Sequence, residues 1–334
     1  MTKPCIMVTG GAGYIGSHAV LALLDADYPV VVIDNLVTGF PWAIDPRASF
    51  VEADIGDDEK VRTALRDHRV GAIMHFAGSV VVPESVGNPL KYYRNNTAAS
   101  RALIESAVEC QVKHFIFSST AATYGTPKRV PIAETDPTLP INPYGMSKLM
   151  TEAMLRDVAQ AHPFNFCALR YFNVAGADPG GRTGQSTTGA THLIKVAVEA
   201  ALGKRDHVGV FGTDFETDDG TGVRDYIHVS DLAAAHVDAL ELLLAEPDRS
   251  HVLNCGYGHG YSVLEVLDAV DRVTNMTITR RFDGRRPGDP AALIADNTAI
   301  LAALPWRPRY DDLERIVSDA LAWERKLATR VEVA

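Results

Sequence analysis

Tyr144 and Lys148 stand four residues apart in the run Asn142-Pro143-Tyr144-Gly145-Met146-Ser147-Lys148. On a helix that spacing puts both side chains on one face. Asn142 suits the N-cap and Pro143 the first turn, so the pair is expected at the start of a helix. A phenol with a pKa of about 10 is only about 0.1% ionised at neutral pH. A neighbouring ammonium and a cofactor cation within ~4–6 Å would depress that value by about 1–3 units. A phenol so poised can take a proton from a substrate hydroxyl. Ser118-Ser119-Thr120 closes an apolar run further upstream. A hydroxyl there can hydrogen-bond the same substrate oxygen, and Thr120 is the candidate among the three. A Tyr-x-x-x-Lys pair alone also describes many helix surfaces, so its meaning depends on what surrounds it.

What surrounds it is a turn that holds phosphate. Gly10, Gly13 and Gly16 in Thr9-Gly10-Gly11-Ala12-Gly13-Tyr14-Ile15-Gly16 follow a short apolar run and open a helical stretch. Glycine takes the positive φ of a tight turn cheaply, and its missing Cβ lets backbone N–H groups approach a diphosphate at a helix N-terminus. Asp34 ends the next β-branched run, where a carboxylate accepts hydrogen bonds from an adenosine ribose and repels a 2′-phosphate. NAD is therefore expected over NADP, with its nicotinamide as the hydride acceptor beside Tyr144. Asp54-Ile55 and Phe76-Ala77-Gly78 follow the third and fourth strand-like runs, at carboxyl ends where ligands bind in such sheets. Asp54 has a second reading as a helix or loop cap.

These groups need a frame. Short apolar runs at 6–9, 30–34, 49–53, 72–76, 114–118 and 166–171 alternate with helical stretches at 17–24, 57–67, 90–109 and 144–161. Continuous apolar strands are buried on both faces, which predicts a parallel sheet, and the alternation predicts a doubly wound Rossmann fold. Beyond residue 173 the texture loosens. Glycine-rich polar loops are expected at 176–189 and 214–222, helices at 191–202, 231–245, 263–273 and 311–326, and strand-like runs at 208–211, 226–229 and 252–255. Ser262 and Glu265 read as a capping box. The expected organisation is α/β: residues 1–172 as the NAD-binding Rossmann domain and residues 173–334 as a smaller mixed α/β substrate region, with some segments of the second returning to the first.

Composition narrows the class. The chain has 334 residues, 46% hydrophobic and 22% charged, as in ordinary globular proteins. Its 32 basic against 42 acidic residues give a net charge of −10, which argues against nucleic acid or an anionic membrane as partner. No run approaches the ~20 apolar residues of a spanning helix, and none reads as an export signal. The 4 cysteines lie far apart, with no metal-binding spacing, and are expected as free thiols in the cytoplasm.

Further motifs run through the chain: HFAG at 75–78, PESV at 83–86, Asn95-Asn96, TYG at 123–125, LRYFNVAGA at 169–177, DGTGVRDYIHVSDLA at 219–233 and RRPGD at 285–289. With the glycine turn and NPYGMSK at 142–148, they make the chain similar to the extended short-chain dehydrogenase/reductase family, and within it to the UDP-glucose 4-epimerase branch. The resemblance implies that NAD stays bound through turnover. Tyr144 takes the proton of the sugar 4-hydroxyl, hydride leaves C4, the 4-keto sugar turns over, and hydride returns to its other face. By the same resemblance Lys148 binds the nicotinamide ribose and tunes Tyr144. Tyr14, Ile15, Asn35, Asn95, Ser118, Tyr144 and Tyr171 are then further cofactor contacts. Thr120, Tyr144, Asn173, His192, Leu193, Phe211, Arg224, Arg286, Asp289 and Leu293 are substrate contacts. Arg224 and Arg286 would take the diphosphate, Asp289 the uridine ribose, and Leu293 would gate N-acetyl sugars. A homodimer through the helices near 90–109 and 144–161 is implied as well.

The chain departs from the pattern at Val80, where family members carry lysine, and at Thr191-His192-Leu193, where paired asparagines are common. Arg224 has an alternative as an ion-pair partner of an acid in 214–219, and His192 as an ordinary polar residue opening a helix. A 4,6-dehydratase would need acids after Thr120, where this chain has Ala121 and Ala122. Activity on UDP-N-acetylglucosamine or UDP-pentoses, and an NAD(H)-sensing binding protein, are the other readings.

Overall fold

The computed structural model describes residues 3–286 and 289–331. Pro287 and Gly288 of the RRPGD motif lie outside the described residues. Six strands come from the N-terminal half: β1 (Cys5–Thr9), β2 (Val30–Asp34), β3 (Ser49–Glu52), β4 (Val70–His75), β5 (His114–Thr120) and β6 (Asn165–Tyr171). Eight more, mostly short, follow: β7 (Asn173–Ala175), β8 (Val208–Phe211), β9 (Val223–Arg224), β10 (Tyr226–His228), β11 (His251–Cys255), β12 (Tyr261–Ser262), β13 (Arg280–Asp283) and β14 (Ala292–Leu293). The main sheet has 7 strands in the order β11-β6-β5-β4-β1-β2-β3, every pair parallel. The strand order reverses between β1 and β4, which opens a crevice above their carboxyl ends.

Alternation along each strand explains the two-sided core. Ile6, Val8, Val32, Met74 and Ile116 pack on one face, and Met7, Val31, Ile33, Ile73, Phe115 and Phe117 on the other. Helices cover both: α1 (Tyr14–Asp25), α2 (Asp58–Asp67), α3 (Val82–Gly87), α4 (Pro89–Tyr92), α5 (Ala99–Glu109), α6 (Pro143–Ala161), α7 (Leu193–Ala201), α8 (Val229–Ala245), α9 (Val263–Thr274), α10 (Thr298–Ala303) and α11 (Leu313–Val331). Among the described residues no helix is long and apolar enough to cross a membrane.

Three differences from the sequence reading bear on function. The single helix expected over 90–109 is wound as a π-helix across Tyr93–Ala98, between α4 and α5. Such a turn is rare and gathers at functional sites, and this one carries Asn95 and Asn96. The fifth strand runs on to Thr120, so all three hydroxyls of Ser118-Ser119-Thr120 are held by sheet pairing to β6. The short strands β7, β9, β12, β13 and β14 were not expected from sequence, because runs this short carry little periodic signal of their own. The capping box at Ser262 and Glu265 is present with both of its hydrogen bonds.

Candidate active site

Above β1 the chain turns through Gly10 at φ +71, and a Cβ there would lie 2.7 Å from the Ala77 nitrogen after β4. A Cβ on Gly16 would run into the Gly10 carbonyl, so α1 can begin against the turn only as glycine. Asp34, at the carboxyl end of β2, is 8% exposed. Its two oxygens accept from the Ala12 and Leu36 nitrogens at 3.0 and 2.8 Å, and burial pushes its pKa up. Each oxygen keeps a lone pair for a hydroxyl. Asn35 donates to Asp54 at 2.8 Å, and Asp54 also accepts from the Gly56 nitrogen at 2.8 Å. Tyr14 ties the first helical turn to the Gly176 carbonyl at 2.7 Å. Ile15 lies on the same turn, Ile55 follows β3, and Phe76, Ala77 and Gly78 follow β4. The cradle and the buried carboxylate fit a dinucleotide with a free 2′-hydroxyl.

Across the crevice, Asn142 caps α6 through Gly145 at 2.9 Å and launches Tyr144 and Lys148 from its first two turns. The Tyr144 ring meets Tyr92 edge-on at 6.4 Å, and the Thr120 hydroxyl stands beside its phenol. Burial raises the Tyr144 pKa, and the Thr120 hydroxyl only partly offsets this. The expected depression counted on two cations. One of them, the Lys148 ammonium, is engaged with the Ser118 carbonyl at 2.9 Å and sits 4.9 Å over the Phe117 ring. The other belongs to the cofactor. Ser118 itself bonds the Tyr171 hydroxyl, and Tyr171 is nearly buried. From the π-turn, Asn95 donates to the Ser79 hydroxyl at 3.1 Å, while buried Asn96 clamps Ser79 through both its nitrogen and its carbonyl, at 2.7 and 2.9 Å.

Lys148 is buried, and desolvation brings its pKa down to about 8, against about 10.4 in water. Between those values the unfolded chain binds more protons than the folded one, so stability rises with pH across that interval. Below pH 8 both states are charged and the whole cost of burial stands. Melting curves of wild type and Lys148→Met should therefore show the wild type gaining on the variant as pH rises from 8 to 10. A constant difference over that range would contradict the buried ammonium.

The expected substrate residues form two groups. Asn173, His192 and Leu193 line one cleft with Tyr226, Gln185 and Trp323. His192 stands exposed at the start of α7, its Nδ1 held by the Gln185 side chain at 2.8 Å. In the second group the Arg286 guanidinium lies 3.6 Å over the Phe211 ring, and Arg224 pairs with Asp289. That pairing corrects the alternative reading of Arg224, whose ion-pair partner is Asp289 rather than an acid of 214–219, and it sets side by side the two residues expected at the substrate's diphosphate and ribose. The acidic loop is instead engaged by Arg285, which reaches Asp214 at 2.6 Å. Leu293 on β14 runs beside Arg224 on β9 and packs against the cluster of Ala121, Tyr124, Ile132, Phe172 and Ala295, at the foot of the loop that follows Thr120.

Residues 6–256 match the family model of the NAD dependent epimerase/dehydratase family. The chain belongs to this family. A UDP-glucose 4-epimerase from Azospirillum brasilense is 56% identical over 98% of this chain and 94% of its own. A crystal structure of UDP-glucose 4-epimerase from Stenotrophomonas maltophila, with bound NAD and formylated UDP-arabinopyranose, has a TM-score of 0.94 and 38% identity, covering 98% of this chain and 99% of its own. The Brucella ovis enzyme in complex with NAD has a TM-score of 0.92 and 43% identity, covering 96% and 98%.

Sequence reasoning overlooked the polar groups beneath this epimerase-family site. Glu152 on α6 is fully buried and binds Arg170 of β6 and the Ser119 hydroxyl. The signal was there: Tyr144, Lys148 and Glu152 recur at four-residue steps, so the acid had to face inward with the other two.

Proposed function

We propose that this chain is an NAD-dependent enzyme that interconverts UDP-glucose and UDP-galactose at C4 of the sugar. The observation that carries the reading is the convergence of the Tyr144 phenol, the Thr120 hydroxyl and the Lys148 ammonium beside a glycine turn built for a dinucleotide. NAD, when bound, supplies the acceptor for the C4 hydride and later its donor, and ends each turnover oxidised. Gly10, Gly13 and Gly16 hold its diphosphate against the α1 N-terminus, and Asp34 holds its adenosine ribose. Tyr144 takes the 4-hydroxyl proton as the ketone forms and returns it as the epimeric alcohol forms, so no proton or electron is gained or lost. Thr120 bonds the same sugar oxygen and the phenol, shortening the proton's path. Lys148 stays a cation near the phenolate and lowers the cost of its charge. Arg286, with Arg224, faces the diphosphate, for which a guanidinium fork is suited. Phe211 offers a flat surface to the uracil ring.

Ala121 and Ala122 after Thr120 offer no acid to expel a hydroxyl, which weighs against a dehydratase. The retained Tyr144, Lys148 and Thr120 weigh against a mere NAD(H) sensor. The reading includes a cytoplasmic homodimer, with the outer face of α6, where Met150 is exposed, as part of the contact. To test it, purified protein is incubated with UDP-galactose and no added cofactor, and the C4 epimers are separated. UDP-glucose is expected; unchanged UDP-galactose together with bound NAD would sink the reading. The same panel, extended to UDP-N-acetylglucosamine, tests Leu293. Leu293→Tyr is expected to suppress N-acetyl substrates by at least tenfold and to spare UDP-galactose, and equal loss of both would show that Leu293 is not the gate.

A further inference from the structure

The segment after β2 lies directly on the dinucleotide turn: the Phe40 nitrogen donates to the Ala12 carbonyl at 3.0 Å. Phe40 stacks on Trp42 at 5.1 Å, and Trp42 stands 6.0 Å from Trp323 of α11, ring against tilted ring. Trp323 is 2% exposed, and its indole N–H donates to the Ser186 hydroxyl at 3.1 Å. A Cβ on Gly184 would overlap the Trp323 ring, so the loop accepts the indole only as glycine. One residue on, Glu324 pairs with Lys195 of α7, and the Lys195 ammonium also donates to the Gln185 carbonyl at 3.0 Å. Lys326 holds the Gly181 carbonyl at 2.7 Å. The 181–186 segment is thus fastened to α11 at several points. Its Gln185 side chain fixes the His192 ring at the mouth of the substrate cleft.

From this continuous path we infer that Trp42 and Trp323 are positioning residues that couple the cofactor side of the site to the substrate side. Ordering of the 35–43 segment by a dinucleotide presses the Trp42 ring on Trp323. Trp323 in turn fixes Ser186, Gln185 and His192. The Trp42 indole touches neither substrate nor cofactor atoms in this scheme, and Trp323 acts from the wall of the substrate cleft. Coupling between two sites is reciprocal, so a ligand on the substrate side must tighten the hold on the dinucleotide by the same factor. Contact between aromatic rings contributes beyond the burial of their area, enough for a several-fold effect.

The inference rests on the proposed function and is tested on the NAD-loaded enzyme. The rate at which bound NAD exchanges with radiolabelled NAD is measured with and without saturating UDP. UDP binding is followed separately by calorimetry, and folding by circular dichroism. UDP is expected to slow exchange at least fivefold in the wild type. In Trp42→Ala the slowing should fall below twofold, with kcat within twofold of wild type and KM for UDP-galactose raised. Trp42→Phe, which keeps an aromatic ring in place, should restore the slowing. Trp42 is 38% exposed, so its removal is a mild insult to folding. If Trp42→Ala nevertheless fails to fold, Trp323→Phe, which deletes the bond to Ser186, should lower the slowing below threefold. A wild type that binds UDP without slowing exchange, or a Trp42→Ala protein that keeps the full effect, overturns the coupling alone. A wild type that gives no binding heat with UDP overturns the functional reading beneath it.

Discussion

Tyr144→Phe is expected to lower the turnover of UDP-galactose by at least about 10²-fold while leaving bound NAD unchanged, because general acid–base groups contribute typically 10²–10⁴-fold. The substitution removes one oxygen and keeps the ring that packs edge-on against Tyr92. Among the described residues no hydrogen bond ties that oxygen to the glycine turn, and the Thr120 hydroxyl stands beside it. A 10²-fold loss corresponds to about 2.7 kcal/mol in the transition state. The defect should appear in kcat far more than in KM, as for an interaction made mainly while the proton moves. Separation of the two UDP-sugars after a timed incubation gives the rate, and the absorbance of released cofactor gives its occupancy. A variant turning over within a few-fold of wild type would show that some other group takes the proton. A variant that has lost its NAD would show that Tyr144 is a cofactor ligand first.

The proton chemistry could be proposed from sequence because it depends on local spacing. Four residues on a capped helix bring Tyr144 and Lys148 to one face whatever the rest of the chain does. The glycine turn is local for the same reason, since the steric demand at Gly10 and Gly16 is set within one strand–turn–helix unit. The sheet followed from continuous apolar runs, and the observed order places Asp34 at the carboxyl end of β2, with Asp54 just beyond β3 and Phe76 just beyond β4. The electrostatics were not local. The Tyr144 pKa in the protein is set by burial, which a linear reading cannot weigh against a nearby ammonium. The partner of Arg224 is Asp289, from a strand region far along the chain, and only the pairing of β9 with β14 brings the two together. The π-turn at 93–98 was equally hidden, because its composition is that of an ordinary helix.

Loss of the buried acid beneath the site is the other large effect expected. Glu152 is fully buried and Arg170 is 4% exposed. Arg170 donates to Glu152 through Nε at 2.9 Å and through a second nitrogen, and Glu152 accepts also from Ser119. Glu152→Ala strands the guanidinium in the interior, with the Tyr124 hydroxyl at 3.0 Å and the Tyr124 ring as its remaining company. Breaking one side of such a pair costs about 3–5 kcal/mol, because the surviving charge keeps its desolvation penalty and loses its partner. The urea midpoint should fall accordingly. Removing both charges in Glu152→Leu/Arg170→Met should recover most of that loss, since well-packed apolar replacements of buried pairs are often neutral. Activity should not recover with it. Ser119 lies between Ser118, whose carbonyl holds Lys148, and Thr120, whose hydroxyl stands beside Tyr144. The double variant leaves the Ser119 hydroxyl without its acceptor, so the strand end that aligns both groups loses an anchor. A double variant stable and fully active would show that the pair serves packing alone, and a Glu152→Ala protein within about 1 kcal/mol of wild type would show that Arg170 finds water the fold does not offer it.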